Sequence, residues 1–111
     1  MEGTYFSTHY SSEDKSPIVQ EFVKKYEAKY GGEVPDAMSA LGYDSAMVLA
    51  DAIKRAGTTD GPKVRDAIAA TKDYTGITGK TTIDAHRDAA KSAVIITVKN
   101  GKFKFVESVS P

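Results

Sequence analysis

The chain has 111 residues, with 15 basic and 15 acidic side chains, a formal net charge of zero and no cysteine. Zero net charge argues against a nucleic-acid partner, which needs a local excess of Lys and Arg, and without cysteine neither a disulfide nor thiol chemistry is available. The length suits one domain or a piece of a larger one and can bury roughly two-thirds of its unfolded surface; no apolar run approaches the roughly twenty residues of a membrane span, and no signal peptide is expected before Glu2-Gly3-Thr4.

Gly3 to Tyr10, rich in aromatic and hydroxyl residues, predicts a strand that begins the chain with no partner before it. Ser11 to Lys15 is a polar loop, and Ser16 followed by Pro17 supplies an N-cap and a first helical position for a helix over 16–30. Its stripe is Ile18, Phe22, Tyr26 and Tyr30, with Val19 and Val23 beside it, and Gly31-Gly32 ends it. Val34-Pro35 leads by a short connection into a second helix over 36–56, forming an αα-hairpin.

That second helix is the longest apolar-periodic run. Asp36 is its expected N-cap and Gly57 its left-handed stop, with Met38, Leu41, Ser45, Val48, Leu49, Ala52 and Ala56 as the inward stripe. Ala37, Ala40, Gly42, Ser45, Ala46 and Ala50 let another backbone approach closely on more than one side, which predicts a packed central helix. A third helix over 61–71 follows, capped by Asp60 or Gly61, with Val64, Ala67, Ile68 and Thr71 inward. Tyr74 to Lys80 is expected as a loop leading into a short extended piece, Thr81 to Asp84 alternates weakly, and Asp84 to Asp88 is a turn. Ala93 to Val98 is a continuous run of β-formers, expected as a strand covered on both faces. Asn100-Gly101 predicts a type I′ turn, and Lys102 to Glu107, with Phe103 and Phe105 opposite the lysines, predicts an edge strand with one wet face. The fold class is α/β in the order β-α-α-α-loop-β-β: three helices between an N-terminal strand and a C-terminal hairpin.

Residue types alone give no enzyme. His9 and His86, the only histidines, lie far apart with no clustered carboxylates, so no metal or cofactor is expected and a surface role suits both. Asp84 and Asp88 around His86 lack the glycine and closing Glu of a calcium loop and suit a turn. Gly76 to Thr81 ends in Gly-Lys-Thr like a phosphate loop, but the first glycine is misplaced and no strand-loop-helix context surrounds it. Tyr26 and Tyr30 suit core packing better than a ligand cage. No acid-base pair or nucleophile elbow stands out, so a small enzyme ranks last.

Four pieces in order carry a resemblance: Glu2 to Phe6; Pro35 through Ala40-Leu41-Gly42-Tyr43-Asp44 to Ile53; Thr75-Gly76-Ile77-Thr78-Gly79-Lys80-Thr81-Thr82-Ile83-Asp84; and Ile95 to Phe103. Together they resemble the closing third of the type I periplasmic binding proteins of ABC uptake systems, in the branched-chain amino acid binding group. The resemblance implies two α/β lobes joined by crossovers, with a solute held in the cleft between them and a rigid-body hinge closing on it. It places 1–10 and 92–111 in the second lobe and 11–91 in the first, with crossovers near Ser7 to Ser11 and Lys91 to Val94. It implies a ligand contact at Met38, where many members carry an aromatic, and places His9 and Tyr10 bordering the cleft. It implies an amino acid or similar small polar solute, an ABC permease as partner, and a periplasmic or extracellular parent, lipid-anchored or soluble. Most of the solute's grip lies earlier in such proteins, so this piece alone is not expected to bind. Helices that arrive without their sheet must find other cover and the strand at Thr4 to Thr8 is expected to be unpaired, so self-association is expected, as a dimer by strand exchange or helix-face burial. The alternative is a free-standing α/β protein-protein interaction module.

Overall fold

The computed structural model describes residues 1–111. The elements, in chain order, are β1 (Tyr5–Thr8), α1 (Pro17–Lys29), α2 (Ala37–Ala56), α3 (Gly61–Ala69), β2 (Tyr74–Gly76), β3 (Gly79–Ile83), β4 (Ala89–Lys91), β5 (Ala93–Lys99) and β6 (Lys102–Val109). The strands form two separate antiparallel sheets, ordered β1-β5-β6 and β2-β3-β4. The molecule measures 50 × 33 × 20 Å, with a radius of gyration of 15.8 Å. A compact domain of this length has a radius near 13 Å, so the chain is extended. Only 15 of its 111 residues are buried. No helix is long and apolar enough to cross a membrane.

The helix boundaries follow local chemistry. Asp36 accepts the Ser39 amide at 2.8 Å and the Ser39 hydroxyl at 2.8 Å, neutralising free donors at the start of α2. Gly57 closes the helix at φ 68°, a left-handed conformation in which a Cβ is strained. Asp60, rather than Gly61, caps α3 through the Lys63 amide. Ser16 makes no side-chain cap; instead Asp14 accepts the Ser16 amide, and Gln20 donates back to the carbonyls of Ser12 and Asp14. The third helix stops at Ala69 instead of running to 71, because Thr71 turns its amide to Ile68 and gives its carbonyl to Ile83 of β3. Arg55 ties α2 to that end, bonding Asp51 on its own helix, the Ala67 carbonyl and the Thr71 hydroxyl.

Five further expectations change. Tyr74 to Lys80 is not a loop: β2 and β3 form a hairpin around Ile77-Thr78, with Gly79 at φ 93°. β4 was not expected at all; Ala89, Ala90 and Lys91 are poor strand formers, and pairing with β3 makes them one. The inward stripe of α2 is rotated. Ala40, Asp44 and Ala52 are buried, whereas Met38, Ser45 and Leu49 are exposed. Small and apolar residues occupy both sides of this helix, so periodicity alone cannot choose between the packed side and the bare one. Finally, β1 is not unpaired but runs antiparallel to β5. β5 is central in its sheet, yet of its residues only Val94 and Val98 are buried, so it is not covered on both faces.

The type I′ turn forms as expected, with Asn100 at φ 54° and Gly101 at φ 72°. The Glu2 carboxylate accepts both turn amides, at 2.6 and 3.3 Å. β6 is an edge strand, with a bulge opposite Ile95/Ile96. The principal core lies elsewhere, where Tyr10, Val19, Phe22, Val23, Ala40 and Ile77 meet, with Tyr26 and Ala37 against them.

Candidate functional site

An open groove of about 630 Å³ lies between α1, α2 and β2. Aromatic side chains dominate it because α1 carries them at helical spacing. Phe22 lies 6.0 Å from Tyr26 and 5.2 Å from Tyr43, and Tyr26 lies 4.5 Å from Tyr30, centroid to centroid. Met47 and Tyr74 extend the wall. Burial raises the Tyr74 phenol above its ordinary range, helped by the negative charges of Asp44 and Asp51 and by Tyr43.

Asp44 sits at the groove's base, 6 % exposed in the middle of α2. A carboxylate is not left bare in such a place. Its Oδ1 accepts the Ile77 amide at 2.8 Å, and its Oδ2 accepts the Thr78 amide at 2.8 Å and the Thr78 hydroxyl at 2.6 Å. The Thr78 hydroxyl in turn accepts from the Lys91 ammonium. Burial holds the Lys91 pKa below its usual range, against the pull of Asp44 in the opposite direction. The fit is tight: a Cβ on Gly76 would lie 2.6 Å from both carboxylate oxygens. The Asp44 oxygens are therefore committed to holding the β2–β3 turn against α2. Sequence reasoning missed this residue; the available signal was a lone carboxylate on a turn of α2 otherwise rich in small and apolar residues.

The three expected ligand contacts do not converge on the groove. Met38, 72 % exposed in the first turn of α2, and His9, exposed just after β1, are not among its lining residues. Tyr10 belongs to the core, its ring edge-on to Phe22 at 6.4 Å. Its hydroxyl is buried with no hydrogen-bond partner. Burial, with smaller contributions from the charges of Asp36 and Glu27, pushes its pKa up to about 12.

The periplasmic binding protein family model matches residues 1–102 of the chain. This chain belongs to the periplasmic binding protein family. Its three helices and two small sheets are part of the type I fold of that family. It is similar to a leucine-binding protein from Thermotoga maritima, at 44 % identity and a TM-score of 0.85, covering 99 % of this chain and 31 % of that one. It is also similar to the branched-chain amino acid transporter substrate-binding protein of Streptococcus pneumoniae, solved with isoleucine, at 37 % identity and a TM-score of 0.82, covering 96 % and 30 %. A putative branched-chain amino acid ABC transporter protein from Rhodospirillum rubrum matches at 34 % identity and a TM-score of 0.80, covering 95 % and 31 %. A comparison with curated proteins gives no match. The chain thus spans about a third of the length of the solved relatives it matches.

Proposed function

We propose that the chain is the closing third of a solute-binding protein of an ABC uptake system, which holds an amino acid or similar small polar solute between two lobes. The observation that carries this reading is 44 % identity to a leucine-binding protein across 99 % of the chain, confined to 31 % of that protein. The parent works in the periplasm or outside the cell, soluble or lipid-anchored, and delivers its solute to an ABC permease without catalysis. Residues 1–10 and 92–111 belong to one lobe and 11–91 to the other. Support comes from the pairing pattern: β1, β5 and β6 pair only among themselves, as do β2, β3 and β4. Met38 and His9 line the solute side, and Tyr10 borders it from the core behind them. The exposure of Met38 and His9 suits a surface completed by another part of the parent.

Calorimetry with leucine, isoleucine and a panel of polar amino acids tests this reading. The chain alone should give no heat of binding. A hybrid with the upstream two-thirds of the Thermotoga relative should bind, and Met38→Asp should weaken that binding. Tight binding by the chain alone overturns the incomplete cleft, and a folded hybrid that binds no amino acid overturns the solute-binding reading.

The chain by itself associates with a second copy. The observation favouring this is apolar surface without cover: Tyr43, Met47 and Leu49 on α2, and Phe103 on β6, are all exposed.

A further inference from the structure

We infer that Lys91 is a positioning residue. It fastens the link between the two sheets to the β2–β3 turn, so that the pivot between them lies on the β5 side of Ser92. The inference rests on the two-lobe reading above, but its test involves no solute, so its failure leaves the solute-binding reading standing. Three contacts, all inside the chain, hold the link from one side. The backbone of Lys91 pairs with Thr81 at the end of the β3–β4 ladder. Its ammonium turns back and donates to the Thr78 hydroxyl, which donates in turn to Asp44 Oδ2 at 2.6 Å. A hydroxyl has one proton; with that proton on Asp44, its lone pairs are left for Lys91. A chain of hydrogen bonds thus runs from the link, through the turn, to the middle of α2. Ser92 supplies the third contact. Its Oγ fills the space beside Gly79, 2.6 Å from where a Cβ would stand.

Consecutive residues of the link, Lys91 and Ser92, therefore rest on consecutive residues of the turn, Thr78 and Gly79. A strand lysine ordinarily keeps its ammonium in water. Lys91 is instead half-buried over a buried hydroxyl, with the attraction of Asp44 offsetting part of the lost hydration. Such a placement fixes geometry more than it adds stability. From the β5 side the hold is a backbone pairing, Ala93 with Val109 near the end of β6. Rotating one sheet against the other at Lys91 would break the chain to Asp44. Rotating them about the connection from Ser92 to Ala93 leaves that chain whole. Lys91 and Ser92 thus travel with α2 and the β2-β3-β4 sheet, and β5 begins the other body.

Backbone amide relaxation and residual dipolar couplings on the chain test this. In the unaltered chain the Ser92 amide should be as ordered as those of Lys80 and Thr81 in β3, near the order parameter of about 0.85 that marks rigid backbone. Lys91→Met keeps the side chain's length and removes the ammonium; Thr78→Val removes its acceptor. Each should lower the Ser92 order parameter toward about 0.6 and change the alignment of β1, β5 and β6 relative to β2, β3 and β4. Because both variants cut one contact, the two together should do no more than either alone. Hydrogen exchange at the Ile77 and Thr78 amides, which Asp44 holds by itself, should stay within about twofold of the unaltered chain. A Ser92 amide less ordered than β3 in the unaltered chain overturns the inference, whether or not the variants fold. Unchanged relative alignment in Lys91→Met overturns it, as do additive effects of the two variants. Loosening of the Ile77 and Thr78 amides in proportion to Ser92 also overturns it, since Lys91 would then serve general stability alone.

Discussion

Asp44→Ala is the most informative single perturbation. It removes the acceptor for two backbone amides and one hydroxyl, all within 2.8 Å of the carboxylate and all buried. Each buried donor left without a partner costs about 1–3 kcal/mol. The Thr78 hydroxyl can turn elsewhere and water can enter from the groove, so about 3 kcal/mol is a conservative sum for the two amides and their neighbour. A domain of this length is stable by about 5–15 kcal/mol, and a chain with so little buried surface belongs at the lower end. Asp44→Ala should therefore remove more than half of the stability. Urea unfolding followed by circular dichroism measures it, as a midpoint lowered by at least half at unchanged slope. Asp44→Asn, which keeps one carbonyl acceptor, should lose less. A loss below about 1 kcal/mol for Asp44→Ala would refute the reasoning, since it would mean the turn is held by something else.

Gly76→Ala should destabilise by roughly 2 kcal/mol or more, because its Cβ meets the Asp44 carboxylate, and Gly76→Ala together with Asp44→Ala should cost less than the sum; a double-mutant cycle by urea unfolding checks this. Gly57→Ala should cost about 1 kcal/mol by forcing a Cβ into φ 68°, read as a lower melting temperature. Tyr10→Phe should be neutral or stabilising near neutral pH, since it deletes a buried hydroxyl with no partner. Tyr10 also gives a pH prediction. Its folded pKa, about 12, lies above the unfolded value of 10.0, so the unfolded chain loses that proton first. The contribution is intact below pH 10 and falls by about 1.4 kcal/mol per unit between 10 and 12. Stability curves of the parent chain and Tyr10→Phe should diverge in that window, and parallel curves would refute the assignment.

What was legible in the sequence was local. Asp36, Gly57 and Asn100-Gly101 act within four residues of themselves, so residue type alone announces them. Gly76 and Gly79 were visible as turn residues, but the strands they join contain Thr, Gly and Lys in no clear alternation, and only pairing reveals them. β4 is a strand solely by virtue of its neighbour. The role of Asp44 depends on amides 33 and 34 positions away, which no spacing rule connects. The phase of α2 was ambiguous for a different reason. One side packs on α1 and the hairpin, while the other, with Gly42, Ala46, Leu49 and Ala50, is equally small and apolar but bare. The family and its part-length character were legible from four short pieces in order. The three ligand contacts rest on that likeness rather than on any convergence of side chains.

The passage from β4 to β5 crosses from one sheet to the other in a single residue, Ser92. With so short a link, no slack can absorb a change in angle between the two sheets. Any swivel of one against the other must be taken up in the torsions at Ser92 and in the longer strap from His9 to Ser16. The Ser92 hydroxyl already occupies the space a side chain at Gly79 would need, 2.6 Å from that missing Cβ. A methyl group added at Gly79 would thus press on the linking residue itself, forcing the Ser92 hydroxyl to rotate away, at a residue 79 backbone φ of 93° that already strains any side chain.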